Sequence, residues 1–291
     1  MKDNLSIVIV NYNSGKYLHD CLTSVFESKK ELDLDIWVVD SCSSDNSIEY
    51  AKKDFPNIRY ILNLENIGFT KSNNQALREI SNEYILILNP DTKVLPGTLS
   101  KMVKFIKENQ EVGAATCKVE LSNGKIDWGS HRGFPTPLAS FFYYFLHDDK
   151  YYHLSKLDMN KPHEVDAITG AFFLTRKSVL DKIGLFDEDY FMYGEDLDLC
   201  FRIKKAGYKI MFIPDIKIIH YKGVSSGIKQ HSQEISNATK ESKLKAFNCF
   251  YETMKIFYRK NLAKDYPFFI NWLVYLGINL KWFLALRKLH V

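Results

Sequence analysis

Three polar clusters follow short apolar runs in this chain. Asn11-Tyr12-Asn13 follows residues 5–10, an acidic and serine-rich stretch at 40–47 follows residues 36–39, and Asn89-Pro90-Asp91-Thr92 follows residues 84–88. A tyrosine such as Tyr12 can stack on a base. A carboxylate such as Asp40 can accept hydrogen bonds from a base N–H or a ribose hydroxyl. Asp91 can hold a hard divalent cation, which takes oxygen ligands, and a leaving diphosphate needs such neutralisation. Asp45 and Ser47 have a plainer reading, because both suit a helix N-cap. Each residue alone has an ordinary turn role. On one edge of one fold, they form a site for a nucleotide diphosphate.

Such an edge requires alternating strands and helices. Residues 5–10 are a continuous β-branched run, the pattern of a strand buried on both faces. Residues 16–27 place Leu18, Cys21, Leu22, Val25 and Phe26 at helical spacing. Strands are predicted at 36–39, 58–62, 84–88 and 168–175, with two short ones at 210–214 and 216–220. Helices are predicted at 46–55, from Gly68 to Arg78, from Pro96 to about Asn109, and at 195–206, where Gly207 is the stop. This order implies an α/β fold with a mostly parallel sheet and helices on both faces. In an open sheet of that kind, ligands bind beyond the carboxyl ends of the strands. Residues 122–165 read as an irregular segment with one short helix, covering the site.

Composition sets outer bounds. The chain has 291 residues, 46% hydrophobic and 25% charged, which is ordinary for a globular protein. Net charge is +4, too mild to point to nucleic acid. Residues 235–291 hold 10 Lys/Arg and 3 Asp/Glu, so the positive excess is C-terminal. Residues 235–260 read as a basic helix. Residues 266–286 are apolar and aromatic but carry Asn271, Asn279 and Lys281, which predicts an interfacial or amphipathic helix more than a bilayer span. The other reading packs that helix on protein, including a second copy of the chain as a homo-oligomer. Five scattered cysteines without CxxC spacing suit reduced thiols and a cytoplasmic setting. The first residues read as a strand, not a leader. A boundary near 230 divides a catalytic domain (1–230) from a helical extension (231–291).

The ordered motifs IVIVNYN, VVDSCSSDNS, ENIGFTKSNNQAL, ILILNPDT, ITGAFFLTR and FDEDYFMYGEDLDLCFRIKKAGYKI resemble those of the family-2 glycosyltransferases, from about residue 5 to residue 222. The NPD triplet resembles the rhamnosyltransferase-like branch. The resemblance implies a glycosyltransferase A-type fold, a nucleotide-diphosphate sugar donor such as dTDP-rhamnose, a divalent cation (Mg or Mn) and inversion at the anomeric carbon. The acceptor is expected to be a glycan or lipid-linked glycan, and the basic, aromatic C-terminus fits a peripheral enzyme held at the inner face of the cell membrane by ionic attraction and aromatic insertion. Matched position by position, Val10, Asn11 and Tyr12 line the base. Asp40 reads the base or ribose. Asn66, Gly68 and Lys71 lie near the base and diphosphate, although Lys71 also reads as a solvated helix lysine. Asn74 occupies a recurrent helix position whose role is open. Asn89 and Asp91 stand at the metal motif, where Asn89 replaces a second acid. His220 matches a further metal or diphosphate ligand, or else a strand-end histidine packed by Tyr221.

The resemblance puts the general base at Asp196 in Gly194-Glu195-Asp196. An acceptor hydroxyl is a weak nucleophile at neutral pH, so a carboxylate within hydrogen-bond reach must take its proton as the new bond forms. Glu195 then binds acceptor hydroxyls, or caps the helix. Asp198 falls on another side of the helix, and Arg202 reads as structural. Asp187, Asp189, Tyr190 and Tyr193, with Trp128 and His131, are expected to shape the acceptor pocket. A sugar nucleotidyltransferase or a dehydrogenase would carry a glycine-rich loop after the first strand, and none is present. A catalytically inactive sugar-nucleotide-binding protein is the other reading; intact Asp91 and Asp196 argue against it.

Overall fold

A computed structural model describes residues 2–28, 32–222 and 240–287. The first half winds as β1 (Asp3–Asn11), α1 (Lys16–Glu27), β2 (Leu32–Asp40), α2 (Ser47–Asp54), β3 (Arg59–Leu62), α3 (Gly68–Glu79), β4 (Tyr84–Leu88), β5 (Thr92–Val94) and α4 (Thr98–Glu108). Then come β6 (Val112–Leu121), β7 (His131–Arg132), α5 (Pro137–Phe145), β8 (His163–Glu164), β9 (Ala167–Ile168) and β10 (Phe172–Arg176). The chain continues with α6 (Lys177–Ile183), α7 (Glu195–Lys205), β11 (Lys209–His220), α8 (Lys240–Phe257) and α9 (Phe268–Leu286). A π-helical turn at Tyr258–Leu262 follows α8.

The strands form a nine-stranded sheet ordered β3-β2-β1-β4-β10-β6-β11-β5, with β8 on β11, and β7 pairs with β9 in a small second sheet. The β3–β2–β1–β4 pairs are parallel, and β10 runs antiparallel to both β4 and β6. Since β11 is parallel to β6, strands β3, β2, β1, β4, β6 and β11 all point one way. Their carboxyl ends therefore share one edge.

Alternate residues of the central strands feed two core layers. Val8, Val10, Val39 and Ile87 face the layer covered by α3, α6 and α7. Leu5, Ile7, Ile9, Val38, Leu86 and Leu88 face the layer covered by α1 and α4. This two-sided burial explains the continuous apolar runs. The C-terminal extension joins the first layer through Ile256, Phe257, Tyr258 and Leu262.

The structure corrects several boundaries. The strand expected at 168–175 is two pieces, β9 and β10, divided by a turn at Thr169-Gly170-Ala171. The two strands expected at 210–214 and 216–220 are one, β11, whose register jumps between Ile213 and Lys217 around Pro214, a residue that cannot donate to the ladder. Strands β5 and β6 and helix α6 were not foreseen. β6 lacks a β-branched signature because small residues such as Gly113, Ala114 and Ala115 fill its crowded place between β10 and β11. Of the basic helix expected at 235–260, residues 235–239 lie outside the described residues.

Candidate active site

The shared carboxyl edge gathers the first two clusters. Asn11 and Asp40 are register partners at the ends of β1 and β2. The Asn11 amide donates to Asp40 Oδ1 at 2.7 Å and to the Ser47 hydroxyl at 2.9 Å. Asp40 Oδ2 accepts from the Ser43 amide at 2.9 Å, and Oδ1 from the Ser43 hydroxyl at 2.6 Å. Asn11 is fully buried and Val10 packs in the core layer, while Tyr12 is half-exposed. Asn11 and Asp40 thus brace the two loops, and Tyr12 is the side chain of this group open to a ligand. Asp45 braces the start of α2 as expected, its Oδ1 accepting the amide of Ser47, the first residue of the helix, at 3.2 Å. Its Oδ2 also accepts the Gly15 amide at 2.7 Å, tying the same loops together.

At the start of α3, Asn66 Oδ1 accepts the Gly68 amide at 3.0 Å. Gly68 has φ 86°, and a Cβ there would meet the Phe191 carbonyl at 2.4 Å, so only glycine fits. The Phe69 amide donates to that carbonyl at 2.9 Å, which joins α3 to the loop before α7. Asn74 holds the same loop, donating to the Phe186 carbonyl and Glu188 and accepting the Phe186 amide. Its role is that of a clamp. Lys71 is exposed.

Asp91 follows β4 and His220 ends β11. His220 Nε2 lies 3.1 Å from Asp91 Oδ1, and Asn89 Nδ2 approaches the same nitrogen at 3.4 Å. Behind the ring, His220 Nδ1 sits 3.7 Å from Asp127, which pairs with Lys222. Burial alone would lower the His220 pKa, but Asp91 and then Asp127 outweigh it and raise it to about 9. Burial would raise Asp127, but His220 and Lys222 hold it well below the usual carboxylate range. The 3.1 Å contact has the length of a hydrogen bond, and a His220 held protonated by Asp91 and Asp127 offers a cation no lone pair until it gives up that proton. Among the described residues, no group of three or more His, Cys, Asp and Glu is placed to hold a metal.

Helix α7 delivers the acid pair. Its C-terminus turns at Gly207 into the start of β11, at the opposite sheet edge, so its N-terminus lies at the carboxyl edge. Contacts connect it to the cation cluster. A Cβ on Gly170 would lie 3.1 Å from the Phe69 ring and 3.8 Å from Asn89 Oδ1. The Thr169 amide, beside Gly170, donates to the Ser130 carbonyl. Two residues on, Arg132 Nη2 lies 3.4 Å from Asp196 Oδ1, which also accepts the Leu197 amide at 2.7 Å. Glu195, Asp196 and Arg132 are all largely buried, and Glu195 Oε2 has no hydrogen-bond partner among the described residues. Burial and then the neighbouring Asp196 push the Glu195 pKa up to about 8. Burial also raises Asp196, with Arg132 opposing it. Arg132 thus faces two neighbouring carboxyl groups that burial pushes toward their protonated forms.

A family model described as "Glycosyl transferase family 2" matches residues 6–184. The chain belongs to that family. This glycosyltransferase is 25% identical over 245 residues to the N-acetylglucosaminyl-diphospho-decaprenol L-rhamnosyltransferase of Mycobacterium tuberculosis, covering 78% of this chain and 79% of the relative. It is 30% identical over 161 residues to the rhamnosyltransferase WbbL of Escherichia coli K12, covering 53% and 61%. The mannosyltransferase PcManGT of Pyrobaculum calidifontis, solved with GDP-Man and Mn2+, superposes with a TM-score of 0.54 at 19% identity over 77% of this chain and 58% of its own. Residues 1–349 of Staphylococcus aureus TarS, solved with UDP, give 0.55 at 21% over 89% and 72%. The shared fold is the glycosyltransferase A type, with a mixed, mostly parallel sheet.

Several expected site residues of the transferase lie elsewhere. His131 is fully buried with its ring 4.7 Å from Phe212, so it packs the core and does not face an acceptor. Strand alternation on β7 sends its neighbour Arg132 the other way. Arg132 was missed because a two-residue strand gives no periodic signal. Asp187 and Asp189 were expected to shape a pocket, but both pair with Lys260 of the extension. Tyr190 is buried and Tyr193 stacks edge-on against Phe250. Asp198 bonds Arg202 and Asn261, and Arg202 also bonds the carbonyls of Ile183, Gly184 and Leu185. Asp127 and Lys222 were also missed, since nothing in the sequence ties either to His220. Trp128 remains partly exposed near this loop.

Proposed function

We propose that this glycosyltransferase moves a sugar, rhamnose in the first instance, from a nucleotide-diphosphate donor such as dTDP-rhamnose to a hydroxyl of a glycan or lipid-linked acceptor, with inversion. The reading rests on one observation: a nearly buried Glu195–Asp196 pair, fronted by Arg132, at the sheet edge that also carries Asp91 and His220. The names of the Mycobacterium tuberculosis and Escherichia coli relatives favour rhamnose. The first of those names contains a diphospho-decaprenol, which favours a lipid-linked acceptor at the inner face of the membrane.

Asp196 acts as the base. The acceptor oxygen attacks the anomeric carbon from the face opposite the diphosphate. Its proton passes to Asp196, the new glycosidic bond forms, and the bond from the anomeric carbon to the diphosphate oxygen breaks with its electron pair leaving on the diphosphate. Arg132 opposes the protonation that burial favours at Asp196. Glu195, protonated near neutrality, offers an O–H to an acceptor oxygen. Tyr12 stacks on the base, and the Asn11–Asp40 web holds that loop in place. Asp91, joined by His220 once its imidazole is deprotonated, would hold a divalent cation, Mg or Mn, and that cation would neutralise the departing diphosphate.

The test is a thermal-shift panel of nucleotide-diphosphate sugars with and without Mn2+ or Mg2+, since a ligand that binds the native state raises the melting point. Transfer or donor hydrolysis is then measured for the best binder. Asp196→Asn is expected to lower kcat by about 10²–10⁴-fold while leaving the donor-induced shift intact. Full activity in that variant would refute the base assignment.

A further inference from the structure

Helix α9 is amphipathic in the wrong sense for water. Its 19 residues are long and apolar enough to cross a membrane by length and composition, yet it packs lengthwise on the body. The inward side carries its polar groups. Asn271 accepts from the Tyr258 hydroxyl at 2.6 Å and donates to the carbonyls of Ala263 and Tyr266. Lys281 sits over the Tyr144 ring, and Trp282 donates to Asn248. The outward side presents Phe268, Phe269, Trp272, Leu273, Leu276, Leu280, Phe283 and Leu284, with Phe268 84% and Trp272 63% exposed. At about 100° per residue these positions fall within about 160° of the circumference. Asn279 is the polar residue in that arc. Two of the three residues that interrupt the apolar stretch in sequence are thus turned away from its exposed face.

A second apolar element adjoins it. The Lys281–Tyr144 contact sets α5 beside α9, and α5 with its following residue exposes Leu138, Phe141, Phe145 (68%) and Leu146. Cations flank both elements: exposed Arg287 closes α9 over the Phe283 ring, and Lys150, paired with Asp148, lies over the Phe142 and Tyr151 rings. Residues 240–287 as a whole carry nine Lys/Arg against three Asp/Glu. Exposed Arg259 and Lys264 precede α9. An aromatic and aliphatic stripe with a basic surround matches the headgroup–acyl boundary of an anionic bilayer. A stripe this broad exceeds the narrow seam of a paired helix.

We infer that α9 and the outer face of α5 together form a monotopic docking surface for an anionic lipid bilayer, with α9 lying in the interface plane and not crossing it. Because α5 follows β7, docking sets the Arg132–Asp196 pair near the lipid surface, where a lipid-linked acceptor presents its sugar. That last link rests on the proposed acceptor; the docking itself does not.

Flotation of the full purified chain with vesicles tests the surface without catalysis. Phosphatidylcholine vesicles containing phosphatidylglycerol are expected to carry the chain, and added salt or neutral vesicles to carry less. Trp272→Ser with Leu276→Ser should lower the bound fraction about tenfold through lost apolar insertion, with unchanged donor hydrolysis in vesicle-free buffer. Phe141→Ser with Phe145→Ser should lower it as well. Wild-type flotation in either double variant overturns the proposal, as does a wild-type chain that never floats. A stable dimer that Trp272→Ser dissociates would also overturn it, since a second copy would then cover the stripe.

Discussion

Arg132 is the residue on which the acid pair depends. It faces Asp196 in a buried site and opposes the effect of burial on that carboxylate. Arg132→Met removes the opposing charge and raises the Asp196 pKa further. A base works only when deprotonated, so activity is lost as pH falls through its pKa. The acid limb of kcat/KM should therefore move to higher pH, by about one unit, while Arg132→Lys restores part of the shift. Glu195 gives a second test. Its folded pKa of about 8 lies above its ordinary value, so the native state holds a proton that the unfolded chain gives up between about pH 5 and pH 8. Its contribution to stability is complete below that window and is lost as pH rises through it. Glu195→Gln should match the wild type near pH 5 and melt higher than it near pH 9, at about 2–4 °C for each kcal/mol recovered.

At the scale of elements, the junction of α3 with the loop before α7 is the tightest constraint. Gly68→Ala would place a Cβ against the Phe191 carbonyl at a left-handed φ. It should cost about 3 kcal/mol, read as a fall in melting temperature. Gly207→Ala, at φ 89° but with open space around it, should cost about 1 kcal/mol. Much at this scale was legible. Ile7, Val8 and Ile9 run apolar without a break, feed both core layers in alternation and announce a doubly covered strand. The spacing of Leu18, Cys21, Leu22 and Val25 announces α1. What stayed hidden has physical reasons. The alanine- and glycine-bearing β6 is a strand by position and not by propensity, and the His131/Arg132 choice turns on which face a two-residue strand presents. Asp127 reaches His220 across 93 residues of sequence, a contact that only the sheet order creates.

For the whole molecule, the end of α8 and the turn after it are built into the core of the N-terminal part. Ile256, Phe257, Tyr258 and Leu262 share a layer with the central strands, Asn261 bonds Asp198 on α7, and Lys260 pairs with Asp187 and Asp189. Ending the chain at residue 239 would bare that layer and leave Asp198 without its amide donor. Such a truncation should be insoluble or show broad loss of amide protection in hydrogen exchange, whereas a free-standing appendage would come away with no change in the catalytic half.

The jump in β11 bears on how this scaffold tolerates change. Ile213 and Lys217 face consecutive residues of β6, so Pro214, Asp215 and Ile216 bow out of the ladder between them. That arch works as a length gauge for everything beyond it. Losing one of its residues would haul the strand's end back by about 3.3 Å or flip its side chains to the opposite face. His220 would then part from Asp91 as residues 217–220 lost their register with β5 and β6, while the sheet before the arch stayed in place. Three residues outside the ladder thereby set the reach of the imidazole.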